Sequence, residues 1–259
     1  MSFSSSWDHA SEWYHSIASQ KGHYYHRQVI FPSLLRALPP TPSLLLDLAC
    51  GPAAFASFLP KRWKYYGVDS SAELIRMARE DHPRSSFFCH DVTRPFDLPF
   101  REVEWITTIL ALQNVEFQQG LIQQAAHFLS PGGSFIMVLN HPCFRIPQSS
   151  DWQFDRKERV QYHRLDRYLS PHRVEIRTHP GRREDHSTTH SYHFSLSTLS
   201  DWIGKAGLII TEIKELCSDK KSEGGRAKEE NRARKEDPLF LQVTCKKGNR
   251  EDSTKPKSG

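Results

Sequence analysis

The chain has 259 residues, 37% of them hydrophobic, and a formal net charge of +5, which suits one large α/β domain with an insertion. It has no apolar run of membrane-spanning length, and its start, MSFSSSWDHASEW, lacks the charged beginning and apolar middle of an export signal. It therefore reads as a soluble cytoplasmic protein, and five cysteines without a C-x-x-C pair argue against a disulfide framework or a zinc ribbon.

Two N-terminal helices are predicted over residues 7–37, where aromatic and polar residues recur at helical spacing with Gly22 as a break and Pro39-Pro40 as a stop. Leu44 to Leu48 is a short apolar run bounded by Pro42, the pattern of a strand buried on both faces. KYYGVD (64–69) is a second strand, followed by a helix over SSAELIRMARE capped by Ser70 or Ser71. SSFFCHDV gives a third strand ending at Asp91, EVEWITTILAL a fourth, EFQQGLIQQAAHFLS a helix, PGG a turn and SFIMVLN a fifth strand. Strands alternating with helices at this spacing imply a doubly wound, mostly parallel sheet.

From His141 to Ser195 the pattern changes to short polar and aromatic pieces that alternate like hairpin strands, with Ser170-Pro171 and Pro180-Gly181 as turns. This is read as an inserted β-rich cap. STLSDWIGKAG is then a helix ended by Gly207, and LIITEIKELC with PLFLQVTCKK forms an antiparallel pair at the sheet edge. The expected organisation is N-terminal helices over a cleft (1–41), an α/β domain (42–140 and 196–247), the cap (141–195), a charged loop (218–236) and a disordered tail (248–259). Loop and tail explain the charge. Residues 218–236 hold seven basic and five acidic residues, and 246–259 five and two, so the rest is neutral and a basic face for nucleic acid is not expected.

Three carboxylates fall at the carboxyl ends of the first three strands: Asp47, Asp69 and Asp91. In an open α/β sheet ligands bind outside these ends, so the three are expected in one cleft. Asp69 is placed to accept from a ribose diol and Asp91 to meet an adenine amino group. The turn between Asp47 and Pro60, DLACGPAAFASFLP, has one glycine where a dinucleotide fingerprint has three. Pro52, expected inside the start of the following helix, also removes an N–H donor. Both features weaken a pyrophosphate site and favour a ligand without phosphates.

These segments resemble the class I S-adenosylmethionine-dependent methyltransferases, in particular a small-molecule subgroup. DLACGPA is similar to the family's D-x-G-x-G-x-G turn, with alanine at the first and third glycine positions. GVDSSAELIRMAR is similar to its second-strand acidic motif, HDVTRPFDLPF to its adenine-contacting region, and LSPGGSFIMVLNHP to its turn into strand five. The resemblance extends to the N-terminal helices and to YHFSLSTLSDWIGKAGLIITEIKE. It implies a seven-stranded sheet with an antiparallel last strand and the cap between strands five and six. It places S-adenosylmethionine against Tyr14, Tyr25, Asp47, Ala49, Gly51, Pro52, Asp69, Ser70, His90, Asp91, Val92, Leu110 and Ala111. It also implies methyl transfer by in-line displacement to a small-molecule acceptor, in a monomer or homodimer without membrane or nucleic-acid partners. Gln113-Asn114 stand where the family often has a histidine after strand four.

A base is needed only if the acceptor must lose a proton. His141, directly after strand five, and His193 are the candidates, with Tyr14, Tyr25, Tyr168 and His190 behind them. Seven of the fourteen histidines lie in the cap, but their spacing does not form a zinc-binding helix pattern. The cap's ten basic against seven acidic residues hint at an anionic acceptor, and its aromatics suit an aromatic one. Rival readings are an RNA or protein methyltransferase recruited by the charged loop and tail, a dinucleotide-dependent oxidoreductase, and a binding module without turnover.

Overall fold

The computed structural model describes residues 7, 11, 23–177 and 188–248. Trp7 and Ser11 are helical, and the remainder of the first expected helix lies outside the described residues. The second is seen. A π-helical turn, His26–Ile30, leads into α1, Phe31–Ala37. Pro32 sits in α1's first turn and supplies no N–H for an ordinary helical bond to Gln28, which accounts for the wider turn before it.

The sheet strands in chain order are β1 (Leu44–Leu48), β2 (Lys64–Asp69), β3 (Ser86–Cys89), β4 (Val103–Ile109) and β5 (Leu129–Asn140). Helices α2 (Ala72–Asp81) and α3 (Gln118–Phe128) connect them. Four cap strands follow: β6 (Ser150–Asp155), β7 (Val160–Leu165), β8 (His172–Arg177) and β9 (Thr188–His193). The chain then returns through α4 (Leu196–Lys205), β10 (Leu208–Leu216), α5 (Ala227–Glu236) and β11 (Phe240–Lys247). The spatial order of the seven-stranded sheet is β3-β2-β1-β4-β5-β11-β10. Strands β1 to β5 pair in parallel, whereas β11 runs antiparallel to both β5 and β10. The expected fold class is therefore the observed one, including the cap between the fifth strand and the last pair.

Both faces of the sheet are buried, and the side-chain period of two divides the core into two layers. On β5, Phe135, Met137 and Leu139 pack with Leu121, Ile122 and Phe128 of α3 and Leu199 of α4. Ile136 and Val138 face the other way and pack with Phe31 and Leu34 of α1 and Ile75 of α2. Ser71 caps α2 by accepting the Leu74 N–H at 3.2 Å, and Ser195 caps α4 by accepting from Thr198 at 3.3 Å. Gly207, at φ +72°, ends α4 in the left-handed conformation its lack of Cβ permits.

Three elements depart from the sequence reading. PGG (131–133), expected as a turn, falls inside β5, with Gly132 at φ +77° where the register against β4 shifts. The helix expected after β1 is a four-residue 3-10 turn, Ala54–Ser57, because Pro60 follows at once and disfavours helical backbone at Leu59. Pro52 thus sits in a turn rather than in a helix. Residues 227–236, expected as loop, form α5, which lies against the cap: Arg159 pairs with Glu229 at 3.1 Å and Arg232 donates to the Gln161 carbonyl at 3.2 Å. Its charged residues face solvent and cap alike, so composition alone concealed a helix held by tertiary contacts. The tail beyond Gly248 lies outside the described residues. Among the described residues no helix is long and apolar enough to cross a membrane.

Candidate functional site

The turn after β1 explains its own composition. Ala49, Gly51 and Ala53 all have positive φ, at 57°, 55° and 58°. These are the three positions where the resemblance expects glycine, and the backbone there is left-handed whichever residue occupies it. Alanine is the smallest side chain that tolerates the strain. The turn is fixed by the Cys50 N–H on the Val68 carbonyl at 3.0 Å and the Ala53 N–H on the Cys50 carbonyl at 3.0 Å.

Asp69, buried at the end of β2, locks this turn to its neighbour. One carboxylate oxygen accepts the Gly51 N–H at 2.9 Å and the other the Ser71 N–H at 2.9 Å. Asp91 accepts from the Thr93 N–H at 2.9 Å and the Thr93 hydroxyl at 2.6 Å, and faces Arg94 at 3.3 Å. Both acids line a cleft of about 610 Å³ that runs over the carboxyl ends of β1, β2 and β4. Ala49, Gly51, Ser70, Val92, Leu110 and Ala111 line the same cleft, so eight of the thirteen expected cofactor contacts converge there.

Five do not. Asp47 points into the core beneath the turn, where it accepts from the Tyr65 hydroxyl at 2.6 Å and the Thr107 hydroxyl at 2.8 Å. Burial pushes its carboxyl up to about 7 despite these two bonds. Pro52 lines a small cavity behind the turn with His26 and Phe31. His90 stacks on Phe96 with centroids 5.3 Å apart, off the cleft. Tyr25 faces a second cavity and meets the Ser218 hydroxyl at 3.1 Å. Tyr14 lies outside the described residues.

Neither of the two histidines expected to act as bases lines the cleft. His141 is 1% exposed. Its Nδ1 accepts the Cys143 N–H at 3.2 Å, which leaves the proton on Nε2, 3.0 Å from Glu215 of β10. Burial lowers its pKa, partly offset by Glu215. The ring is a strut between the end of β5 and β10, and both its nitrogens are engaged. His193 donates from Nε2 to the Tyr168 carbonyl at 2.6 Å and stands beside His172 in the cap. Tyr168 accepts the Leu196 N–H at 3.0 Å. None of these three reaches the cleft.

The cleft's far wall is formed by β8 and β9, from which sequence reasoning offers His190 as a lesser candidate base but neither Arg173 nor Tyr192. Alternation along β9 buries Thr189, Ser191 and His193 and turns His190 and Tyr192 to the cleft. Arg173, paired across the ladder with Tyr192, joins them. Burial, with the Glu116 carboxylate nearby, raises the Tyr192 hydroxyl above its ordinary pKa, so it remains a neutral donor. Arg173 has no carboxylate within ion-pair distance among the described residues. Asn114 also lines the cleft and anchors itself on the Leu110 carbonyl at 3.0 Å, whereas Gln113 turns away. The alternation was legible in STTHSYH, but which face meets the cleft depends on how the hairpin docks.

A parallel sheet with one reversed strand near its edge, and a glycine-turn cleft bounded by strand-end acids, define the fold of the S-adenosylmethionine-dependent methyltransferases. A family model described as "Methyltransferase domain" matches residues 22–213, and the chain belongs to that family. A crystal structure of an S-adenosylmethionine-dependent methyltransferase from Mesorhizobium loti superposes with a TM-score of 0.65 at 24% identity, covering 83% of this chain and 96% of that one. A glycopeptide N-methyltransferase in complex with S-adenosylmethionine gives 0.56 at 16%, covering 84% and 92%. A trans-aconitate 2-methyltransferase from Azoarcus is 33% identical over 92 residues, 34% of this chain and 36% of its own length. The chain thus aligns with about a third of that relative.

Proposed function

We propose that this protein transfers a methyl group from S-adenosylmethionine to a small-molecule acceptor. The observation that carries the reading is the cleft at the strand ends, where Asp69 and Asp91 present carboxylates and the turn offers no phosphate cradle. Pro52 has no N–H, and the four-residue 3-10 turn after it has too few aligned peptides to attract a pyrophosphate. A dinucleotide fits this site poorly, and a nucleoside bearing an amino acid fits it well. Asp69 would hold the ribose hydroxyls, with Asp91 and the Val92 backbone at the adenine edge. Leu74, Val115 and Phe117, which line the cleft, would cover the base.

When bound, the cofactor supplies an electrophilic methyl group on a sulfonium. The chain's task is to align the acceptor and exclude water. Arg173, His190 and Tyr192 close the cleft from the cap side and are the groups able to orient an acceptor. His190 takes the place of His141 and His193 as the ring positioned to receive a proton. An acceptor with an acidic group is supported by Arg173, which bonds the Tyr192 side chain and has no carboxylate within ion-pair distance among the described residues, and by the trans-aconitate relative.

Calorimetry with S-adenosylmethionine tests the reading. The wild type should bind, and Asp69→Ala should lose binding at least tenfold while Asp47→Asn, whose side chain faces the core, should not. Absence of binding by the wild type, or stabilisation by NADPH instead, would overturn it.

A further inference from the structure

A second cavity of about 520 Å³ lies on the other side of the β8–β9 hairpin. Ile176 and Ser191 line it, whereas Arg173, His190 and Tyr192 of the same hairpin line the cofactor cleft. The two cavities share no lining residue. A narrow cleft between them touches Tyr192 on one side and Asn140, Arg145 and Ser191 on the other.

One wall is aromatic. The Trp152 indole stacks on the His163 imidazole with centroids 4.2 Å apart and planes 11° apart, and Phe144 lies 6.3 Å from the same imidazole. Trp152 keeps 36% of its surface exposed. His163 has a side chain only 9% exposed, yet its Nδ1 has no hydrogen-bond partner, with Asp237 standing off at 3.7 Å. A buried ring nitrogen without a partner is costly unless something else supplies the bond.

The same cavity is lined by two guanidinium groups, Arg145 and Arg234. Arg145 donates to the Asn140 side-chain oxygen at 2.8 Å and lies over the Phe240 ring, while Arg234 reaches the Ser222 hydroxyl at 3.1 Å. Neither has a carboxylate within ion-pair distance among the described residues. Of the cavity's two acids, Asp151 is paired with Arg164 at 2.7 Å, and Asp237 stands 3.7 Å from the His163 ring, beyond hydrogen-bond distance. Two guanidinium groups without an ion-pair partner among the described residues, beside a stacked aromatic wall, complement a planar ligand with a negative group.

We propose that this cavity is a binding site, separate from the cofactor cleft, for a flat conjugated anion: its ring lies on Trp152, its acid group meets Arg145 and Arg234, and a polar edge bonds His163. This goes beyond the methyl-transfer reading and does not depend on it.

The test is calorimetry on the full chain with 2-naphthoate and its uncharged analogue 2-naphthamide. Naphthoate should bind saturably and at least tenfold more tightly than the amide. The Arg145→Gln/Arg234→Gln pair should remove most of that preference, and Trp152→Ala should weaken both ligands. Saturating S-adenosylhomocysteine should leave naphthoate affinity within twofold. Equal affinity for acid and amide would overturn the proposal on the wild type alone, whatever the variants do to folding. An unchanged preference in a double variant that melts like the wild type would also overturn it, as would competition with S-adenosylhomocysteine.

Discussion

Ala49 and Ala53 stand in the same backbone conformation, at φ 57° and 58°, yet replacing each by glycine should have different consequences. A left-handed L-residue costs roughly 1–2 kcal/mol relative to its right-handed conformation, and glycine relieves that strain. Against this, glycine loosens the unfolded chain by about 0.4–1 kcal/mol. At Ala49, which is half-buried at the cleft, these two effects dominate, and Ala49→Gly should stabilise by about 0.5–1 kcal/mol. Ala53 is fully buried against Phe31 and Phe55, and losing its methyl costs about 0.8 kcal/mol more. Ala53→Gly should therefore be close to neutral. For a chain of this size the melting temperature should rise by about 1–4 °C for Ala49→Gly and move by less than about 2 °C for Ala53→Gly. Differential scanning calorimetry on both variants and the wild type reads the difference. A lower melting temperature for Ala49→Gly would refute the strain argument, and equal shifts in the two variants would refute the role given to burial.

Other consequences follow from groups packed around the same turn. Asp47 has a raised folded pKa of about 7 against an ordinary 3.8, so the folded state binds more protons between those values. Stability is therefore lost as pH rises from about 4 to 7 and is level above, by about 4 kcal/mol at most. Asp47→Asn should flatten that part of the stability curve in urea titrations, and a wild-type curve parallel to the variant's would exclude the effect. A Cβ at Gly120 would stand 2.3 Å from the Thr93 carbonyl and 2.4 Å from the Phe117 ring. Gly120→Ala gains about 1 kcal/mol of helix propensity but is overpacked against backbone, so a net loss of about 1–2 kcal/mol is expected, with weaker S-adenosylmethionine binding because Thr93 and Phe117 line the cleft. A more stable Gly120→Ala protein would contradict that contact. Truncation after Gly248 should leave the melting temperature unchanged. Truncation after Cys245 should lower it, since it removes the end of β11 and the Lys247 ammonium that donates to the Ala126 and Leu129 carbonyls at 2.8 and 2.7 Å.

The sheet was legible because its strands are short apolar runs separated by helical periods, and burial on both faces leaves such runs few other solutions. The strand-end positions of Asp69 and Asp91 followed from the same pattern, and the cleft they share depends only on topology. Side-chain direction did not follow from it. Asp47 lies on β1 with its side chain in the core because the period of two sends Leu46 and Leu48 to one layer and Asp47 with Leu45 to the other. Its neighbours Tyr65 and Thr107 come from two other strands, and no local signal announces them. His141 misled for a related reason: topology put it at the right strand end, but the partner that holds it, Glu215, is 74 residues away.

The missing glycines are the point at which local and tertiary information meet. Read as a motif, alanine at two of three glycine positions looks like damage to a nucleotide loop. The backbone shows instead that the positions are defined by positive φ rather than by close approach of a phosphate. Glycine in a pyrophosphate turn serves two needs, left-handed backbone and room for the ligand. Alanine meets the first at a small cost in strain and fails the second. A turn that keeps the conformation with alanine therefore has no phosphate pressed against it, which is the same conclusion reached independently from Pro52 and from the 3-10 turn that replaces the helix. On the proposed reading, the binding determinants lie in the carboxylates behind the turn and in the cap in front of it. Asp69 is tied to Gly51 by a single 2.9 Å bond, so a substitution that shifts the turn acts on the carboxylate that would hold the ribose.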